Sequence, residues 1–592
     1  MSVLRLVSLA LCVIWALPAA ADYLSRPFAD DTMYFLVLDR FAKHEGDSAS
    51  LPGTDPANAR FFHGGNLRAA AEKLDYIKGL GATAIWMTPI FGNQTFSGDH
   101  PDPAGSTGYH GYWILDFLHV DPHFGSEEDL KFFIAEAHKR DIKVFLDIVV
   151  NHTGDVIRYR ECPDDDRCPY RSKADFPYSR RAADGKAINP GFLGDGLETE
   201  ENFARLTDMT YAYTPYIPAG REHAKTPDWL NDPRYYHNRG FTTFKGESAT
   251  YGDFGGLDDV FTENPRVVQG FIDIYEYWID TFHIDGYRID TARHVNPEFW
   301  QKFNPAILDF AKSRGIPNFF IFGEVADFAD DSVMLAQYTR ESKFPGALDF
   351  AFTDQVTRIA AGQGGQLFFA HIFQADTLFE GGTEGAANQP IFVSNHDQGR
   401  LAFRIRELNP GMPAEEVMAR VTAAHALMFF SRGVPILYYG DEQGFMGSGD
   451  DSRSRQDMFA TKVAAYAEEE KLGASGGGDH FDPKHPLYRA FAEMGSLRNR
   501  FATLRRGKFV LRPNASQGLI TFSRLDPATG EEFLVAVNTG ATPRDAAVEI
   551  GYGAMDWHGE HGACASHPFA PGSYQVSVPA LDYVVCRHSP SP

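Results

Sequence analysis

Apolar runs of strand length alternate, over most of the chain, with stretches that carry apolar residues at helical spacing. Eight runs read as strands: MYFLVL from Met33, TAIWMTP from Thr83, KVFLDIVV from Lys143, HIDGYRI from His283, FFIFGEV from Phe319, ALDFAF from Ala347, PIFVSN from Pro390 and PILYYG from Pro435. Near-continuous apolarity over so few residues marks parallel strands buried on both faces. Between them, Asn66 caps a stretch with Leu67, Leu74, Ile77 and Leu80 on one side that ends at Gly81. Ser126 and Asp129 form a capping-box pattern before Leu130, Phe133, Ile134 and Ala137. Asn264-Pro265 opens a further helix with Val268, Phe271, Ile272, Tyr275 and Ile279 at helical spacing. Eight strands with intervening helices predict an α/β fold, a (β/α)8 TIM barrel.

Two regions break the alternation. From His152 to about Asp258 the chain is rich in Pro, Gly, Asp and Tyr with little periodicity, too long for an ordinary connection, which predicts an inserted irregular subdomain after strand 3. From about Gly507 the short alternating runs GLITFSRL, EEFLVAVNT, AAVEI and YQVSVPALDYVVC predict a C-terminal antiparallel β-sandwich. The expected division is 1–21 signal peptide, 22–151 and 259–506 barrel, 152–258 insert, and 507–592 sandwich.

Composition narrows the setting. A formal net charge of -24 argues against a nucleic acid or an anionic membrane surface as partner and suits a neutral substrate or a bound cation. Arg5, the apolar stretch Leu6 to Leu17 and Pro18-Ala19-Ala20-Ala21 before Asp22 have the layout of a secretory signal peptide, so the protein is expected to be secreted, extracellular or periplasmic, and without a membrane anchor after signal removal. Cys12 leaves with the signal. The remaining cysteines fall into the local pairs Cys162 with Cys168 and Cys564 with Cys586, read as two disulfides in an oxidising compartment, with a zinc site as the competing reading.

The candidate chemistry sits where strands give way to polar sequence. VFLDIVVNH, FHIDGYRID, FFIFGEV and PIFVSNHD each end in a carboxylate or an imidazole. In a parallel barrel those ends form the catalytic face, which points to Asp290, Glu324 and Asp397, with Arg288, His152 and His396 beside them. Paired carboxylates there suit glycoside hydrolysis. The chain has no P-loop, no GxGxxG after a strand, no HExxH and no G-x-S-x-G, so nucleotide, zinc-protease and serine-hydrolase chemistry have no anchor.

The ordered motifs YHGYW, DIVVNH, GYRIDTARH, FGEV, SNHD and GVPILYYGDE resemble the α-amylase family of glycoside hydrolases, with some similarity to its cyclodextrin-forming branch. The resemblance runs from about Met33 to the end and implies a retaining enzyme that cuts internal α-1,4 bonds of starch, maltodextrins or related α-glucans, acting as a monomer. It implies Asp290 as nucleophile, Glu324 as general acid and base, and Asp397 as the residue that holds sugar hydroxyls and stabilises the transition state. Arg288 is expected to keep Asp290 ionised and aimed, and the resemblance makes Tyr112 a stacking platform and His152 and His396 the pair that hydrogen-bonds the sugar. Arg293 and His294 stand where the family usually has Lys-His, on the leaving-group side. Calcium is the implied cofactor, held by the Asn151 side chain, the Asp259 carboxylate and the His294 backbone carbonyl. A second calcium site near Asp47, Gly64 and Asn66 is not expected, because Lys43 stands where an acidic ligand belongs. Two alternatives stay open: a transglycosylase or cyclodextrin-active enzyme, and a non-catalytic glucan-binding protein.

Overall fold

The computed structural model describes residues 23–44, 50–98, 105–162, 167–326, 332–448, 452–474 and 476–590. The signal-peptide reading and Asp47 lie outside them.

Eight parallel strands form one sheet: β1 (Met33–Leu36), β2 (Ala84–Met87), β3 (Lys143–Ile148), β4 (Gly286–Ile289), β5 (Phe320–Gly323), β6 (Gly346–Ala347), β7 (Pro390–Phe392) and β8 (Val434–Tyr438). The order follows the chain, with β1 between β2 and β8, and a parallel bridge from Asp349 to Ile391 brings β6 against β7 and closes the TIM barrel. Every residue of β1 to β4 is buried, as strands walled by side chains within and helices without must be. Aromatic rings fill the interior: Phe35 stacks on Trp86 at 3.6 Å, and Phe28 on Phe320 at 3.9 Å.

The helix signals hold with local differences. The helix Glu127–Lys139 has the full Ser126/Asp129 capping box, and Pro265–Phe282 follows Asn264, whose side chain accepts from the Arg266 N–H. Asn66 caps as expected by accepting from the Ala69 N–H, but its stretch divides into Leu67–Ala71 and Leu74–Gly79. The run ALDFAF is the main departure. Only Gly346–Ala347 is strand, because Asp349 accepts from the Phe352 N–H and caps a helix over Phe350–Ala360.

Between β3 and the helix Pro265–Phe282 the described residues form only short pieces, among them the paired two-residue strands His152–Thr153 and Asp258–Asp259, which return the segment to its starting point. Cys162 is joined to Cys168 and Cys564 to Cys586, so the disulfide reading replaces the zinc one. Beyond the barrel lies a five-stranded antiparallel sheet in the order β9 (Lys508–Leu511), β10 (Leu519–Leu525), β11 (Glu532–Asn538), β15 (Tyr583–His588), β13 (Trp557–His561). A two-stranded sheet pairs β12 (Arg544–Glu549) with β14 (Ser573–Val578). Trp557, Tyr574 and Leu534 meet in the core these strands share. Among the described residues no helix is long and apolar enough to cross a membrane.

Candidate active site

The register of β3 on β4 places Arg288 beside Asp147. In neighbouring parallel strands such partners point to the same side, here into the barrel. Arg288 is fully buried. Its Nη1 donates to Asp147 Oδ1 at 2.8 Å, to Asp147 Oδ2 at 3.0 Å and to Asp290 Oδ1 at 2.8 Å, while Nη2 lies 2.9 Å from Glu324 Oε2. One guanidinium therefore serves three carboxylates, two of them at the C-terminal ends of β4 and β5. Thr291, a β-branched residue at φ 49°, turns the chain after Asp290 and donates its N–H to Glu324 Oε2 at 3.1 Å. Such a residue rarely adopts a left-handed backbone, and here the strained conformation ties the two strand ends together.

Tyr112 reaches the same point from the loop after β2. Gly111, at φ 91°, makes that loop feasible, since a Cβ there would lie 2.1 Å from the Pro89 carbonyl oxygen. The Tyr112 hydroxyl is 3.0 Å from Asp147 Oδ2 and 2.9 Å from His396 Nε2. Trp86 donates to Asp147 Oδ2 at 3.1 Å, which makes Asp147 the buried post on which Arg288, Tyr112 and Trp86 all rest.

Tyr112, His152, Asp290, Arg293, His294, Glu324, His396 and Asp397 line one cleft of about 600 Å3, predominantly apolar, with Phe244 and Phe254 on its wall. Arg288 is buried beneath it. Arg293 donates to the Ala326 carbonyl at 2.7 Å, a clamp on the segment that follows Glu324. His294 Nδ1 is 2.6 Å from the Ala249 carbonyl, so the insert fixes its ring.

Burial lifts Glu324 to about 7; Arg288 opposes the rise, and the charges of Asp290 and Asp397 add to it. Burial likewise lifts Asp290, against the pull of Arg288, and raises Asp147 to about 8. Asp397 goes the other way: the upward push of burial is outweighed by His396, Arg455 and Arg288, and its carboxyl falls below the ordinary value. Desolvation lowers His152 to about 4 and His396 to about 3, so both imidazoles are neutral at neutral pH.

Asn151 and Asp259 lie outside the cleft, Asp259 on the strand pair that begins and ends the insert and Asn151 just before it, where the Val260 N–H donates to the Asn151 carbonyl. Asp259 Oδ2 is 2.6 Å from His237 Nδ1, whose other nitrogen is 2.9 Å from Glu263 Oε2. The two carboxylates raise His237 to about 9 against the effect of its burial. Among the described residues the side-chain Oδ1 atoms of Asn151 and Asp259 accept no hydrogen bond. Four buried carboxylates cluster here, Asp253, Asp258, Asp259 and Glu263, against two cations, Lys225 and His237. Unengaged oxygens and surplus negative charge fit a hard cation. No group of three His, Cys, Asp or Glu among the described residues is arranged to hold a metal, as is consistent with a donor set built from an amide, a carboxylate and a carbonyl.

Arg455 was not picked out by sequence. It lines the cleft and donates to Asp397 Oδ1 at 2.8 Å. Its segment carries no apolar run, and the signal within reach was an arginine shortly after the GVPILYYGDE motif.

A parallel barrel that gathers carboxylates and neutral imidazoles on its C-terminal face is a barrel hydrolase in its architecture. The description "Alpha amylase, catalytic domain" matches residues 35–480, and the chain belongs to this alpha-amylase family of glycoside hydrolases. It is 41% identical over 539 residues to an alpha-amylase of Streptomyces lividans, covering 90% of this chain but only 57% of that protein. It is 28% identical over 500 residues to a cyclomaltodextrin glucanotransferase of Klebsiella oxytoca, covering 78% of this chain and 67% of that one. Among solved structures, an Anoxybacillus alpha-amylase superposes with a TM-score of 0.68 at 25% identity, over 96% of this chain and all of that one. Members of the family commonly bind calcium.

Proposed function

We propose that the protein is a secreted, endo-acting, retaining hydrolase of α-1,4-linked glucans, with the chain divided at 152, 258 and 506 into barrel, insert and C-terminal sandwich. The observation that carries this reading is the single guanidinium of Arg288 in contact with both Asp290 and Glu324 at the foot of a cleft. Two carboxylates close enough to share one cation suit a nucleophile and an acid acting directly on one bond, with no attacking water between them. Asp290 attacks the anomeric carbon while Glu324, protonated near neutrality, gives its proton to the leaving oxygen. Water then enters, loses a proton to Glu324 and releases the sugar. Asp397, held ionised, faces the sugar hydroxyls, and neutral His152 and His396 offer hydrogen bonds without adding charge.

Calcium, when bound by the Asn151 and Asp259 side chains and the His294 carbonyl, supplies a structural crosslink between insert and barrel. His237 orients Asp259 for that role by holding its other oxygen.

The test is to incubate the mature protein with maltoheptaose and calcium, follow the anomeric protons by NMR, and use Asp290→Asn as control. New α-configured reducing ends that are absent with the variant support the reading. Cyclic or lengthened products without a matching gain in reducing ends move it to transfer. Phe244 and Phe254 keep that second reading open, because aromatic rings on a cleft wall favour a sugar over water as acceptor. No turnover leaves a glucan-binding protein.

A further inference from the structure

The segment after β8 does more than pass over the barrel mouth. Tyr438 donates to the Ser454 carbonyl at 2.8 Å, Tyr439 to the Gln456 carbonyl at 2.7 Å, and the Met458 N–H to the Arg40 carbonyl at 2.9 Å. Arg400, fully buried, binds Gln456 Oε1 at 2.9 Å and Asp441 Oδ1 at 2.8 Å. These bonds fix the segment without Arg455, whose side chain is directed instead at the end of β7.

Arg455 Nε donates to the His396 carbonyl at 3.1 Å, Nη2 to Asp397 Oδ1 at 2.8 Å, and Nη1 lies 3.4 Å from the Tyr109 hydroxyl. Ser454 Oγ donates to the same His396 carbonyl at 2.7 Å. The Arg455 side chain is only 6% exposed, while that of Asp397 is 46% exposed. A buried, multiply held donor is thus set against one oxygen of a carboxylate that juts into the cleft, the other oxygen lying 3.4 Å from His396 Nε2.

We infer that Arg455 is a positioning residue for Asp397, fixing the direction of its carboxylate and keeping it charged throughout turnover. This rests on the role proposed above for Asp397. The guanidinium acts through the carboxylate and the loop that bears it. The other groups that bear on Asp397 electrostatically are His396, His110, Tyr112, Arg288, Asp290 and Glu324. The two histidines are lowered and neutral, and Arg288 is already engaged by Asp147, Asp290 and Glu324. Arg455 is the guanidinium in direct contact with the Asp397 carboxylate.

The experiment compares Arg455→Met, Arg455→Lys and Asp397→Asn in the whole protein, reading kcat and KM on maltoheptaose from pH 4 to 9 with a melting curve for each. Arg455→Met is expected to lower kcat about 10–100-fold, the worth of one charge-assisted hydrogen bond, with KM within a few-fold of wild type. Its acid limb, which reports Asp397 together with Asp290, is expected to move up, since Asp397 loses a cation at contact distance. Arg455→Lys should restore the acid limb and only part of kcat. Wild-type kcat and acid limb in Arg455→Met would overturn the inference. So would a raised KM at unchanged kcat, which makes Arg455 a direct sugar contact, or equal losses in the Lys and Met variants with an unshifted profile, which makes it structural. If Arg455→Met does not fold, Arg455→Lys decides: lowered kcat with an unshifted acid limb supports positioning, and a change confined to KM refutes it. Full activity in Asp397→Asn overturns the Asp397 reading itself, a failure distinct from inactivity of that variant beside a normal Arg455→Met.

Discussion

Replacing Arg288 by Met removes the one cation shared by Asp147, Asp290 and Glu324. Arg288 and Asp147 are fully buried, so the loss cannot be made good by water. Removing one partner of a buried ion pair costs about 3–5 kcal/mol, because the remaining charge is left uncompensated. Its pH dependence identifies the cause. Asp147 and Glu324 already titrate near 8 and 7 in the folded protein, above ordinary carboxyl values, so the folded state holds protons the unfolded chain has released. Their contribution to stability is fully present below the unfolded carboxyl range and is lost as pH rises toward 7 and 8. Without Arg288 these values climb further, and the loss deepens on the alkaline side. At pH 5 Asp147 and Glu324 of the variant are protonated and need no cation. Thermal unfolding followed by circular dichroism should therefore show a large difference from wild type at pH 8 that shrinks markedly at pH 5. An equal difference at both values, or none at pH 8, would refute the assignment of Arg288 as the charge partner of all three.

Other expectations follow from the same geometry. Glu324→Gln should lower kcat on maltoheptaose by about 10²–10⁴, with much of the loss recovered on an aryl maltoside whose leaving group needs no proton, and the fall in wild-type activity as pH rises through about 7 should vanish. Chelation should lower the melting temperature and calcium restore it, whereas Asp259→Asn should melt alike in chelator and calcium; a variant still protected by calcium would place the ion elsewhere. Cys564→Ser opens a bridge between residues 22 apart and should cost roughly 3 kcal/mol, seen as a lower denaturant midpoint than that of the oxidised wild type.

The sequence revealed the barrel and its carboxylates for one physical reason. A parallel strand buried on both faces is mostly apolar, its few buried charges paired as Arg288 is with Asp147, so a carboxylate just past the end of a run marks the rim, as at Asp290 and Glu324. The same rule failed at ALDFAF, where Asp349 is also the first polar residue after an apolar start but serves as a helix cap and pairs with Arg432. Strand β13, WHGEH, escaped notice because only Trp557 is buried, leaving no alternation to read. Arg455 and His237 escaped for another reason. Each comes from irregular chain, and the partner that gives it meaning lies 58 residues away in one case and 22 in the other, a relation set by tertiary packing alone.

Charge balance in the cleft ties these residues to the chemistry. Asp147, Asp290, Glu324 and Asp397 would carry four negative charges, and the guanidiniums of Arg288 and Arg455 answer two. His152 and His396 cannot supply the difference, since desolvation keeps them neutral. The remainder is met by protons, and burial decides where they reside: on the group of carboxyls around Arg288, with Asp147 near 8 and Glu324 near 7, while Asp397 stays charged against Arg455. Interacting groups so close titrate as a set, and an activity profile will report the set rather than any one member. For the four carboxyls in contact with these two guanidiniums, charge balance is reached with two protons. On the proposed mechanism one of them has to be available to Glu324 for donation, while Asp290 and Asp397 keep the charges proposed for attack and for stabilising a cationic sugar. Loss of either guanidinium would add a proton where a charge is needed.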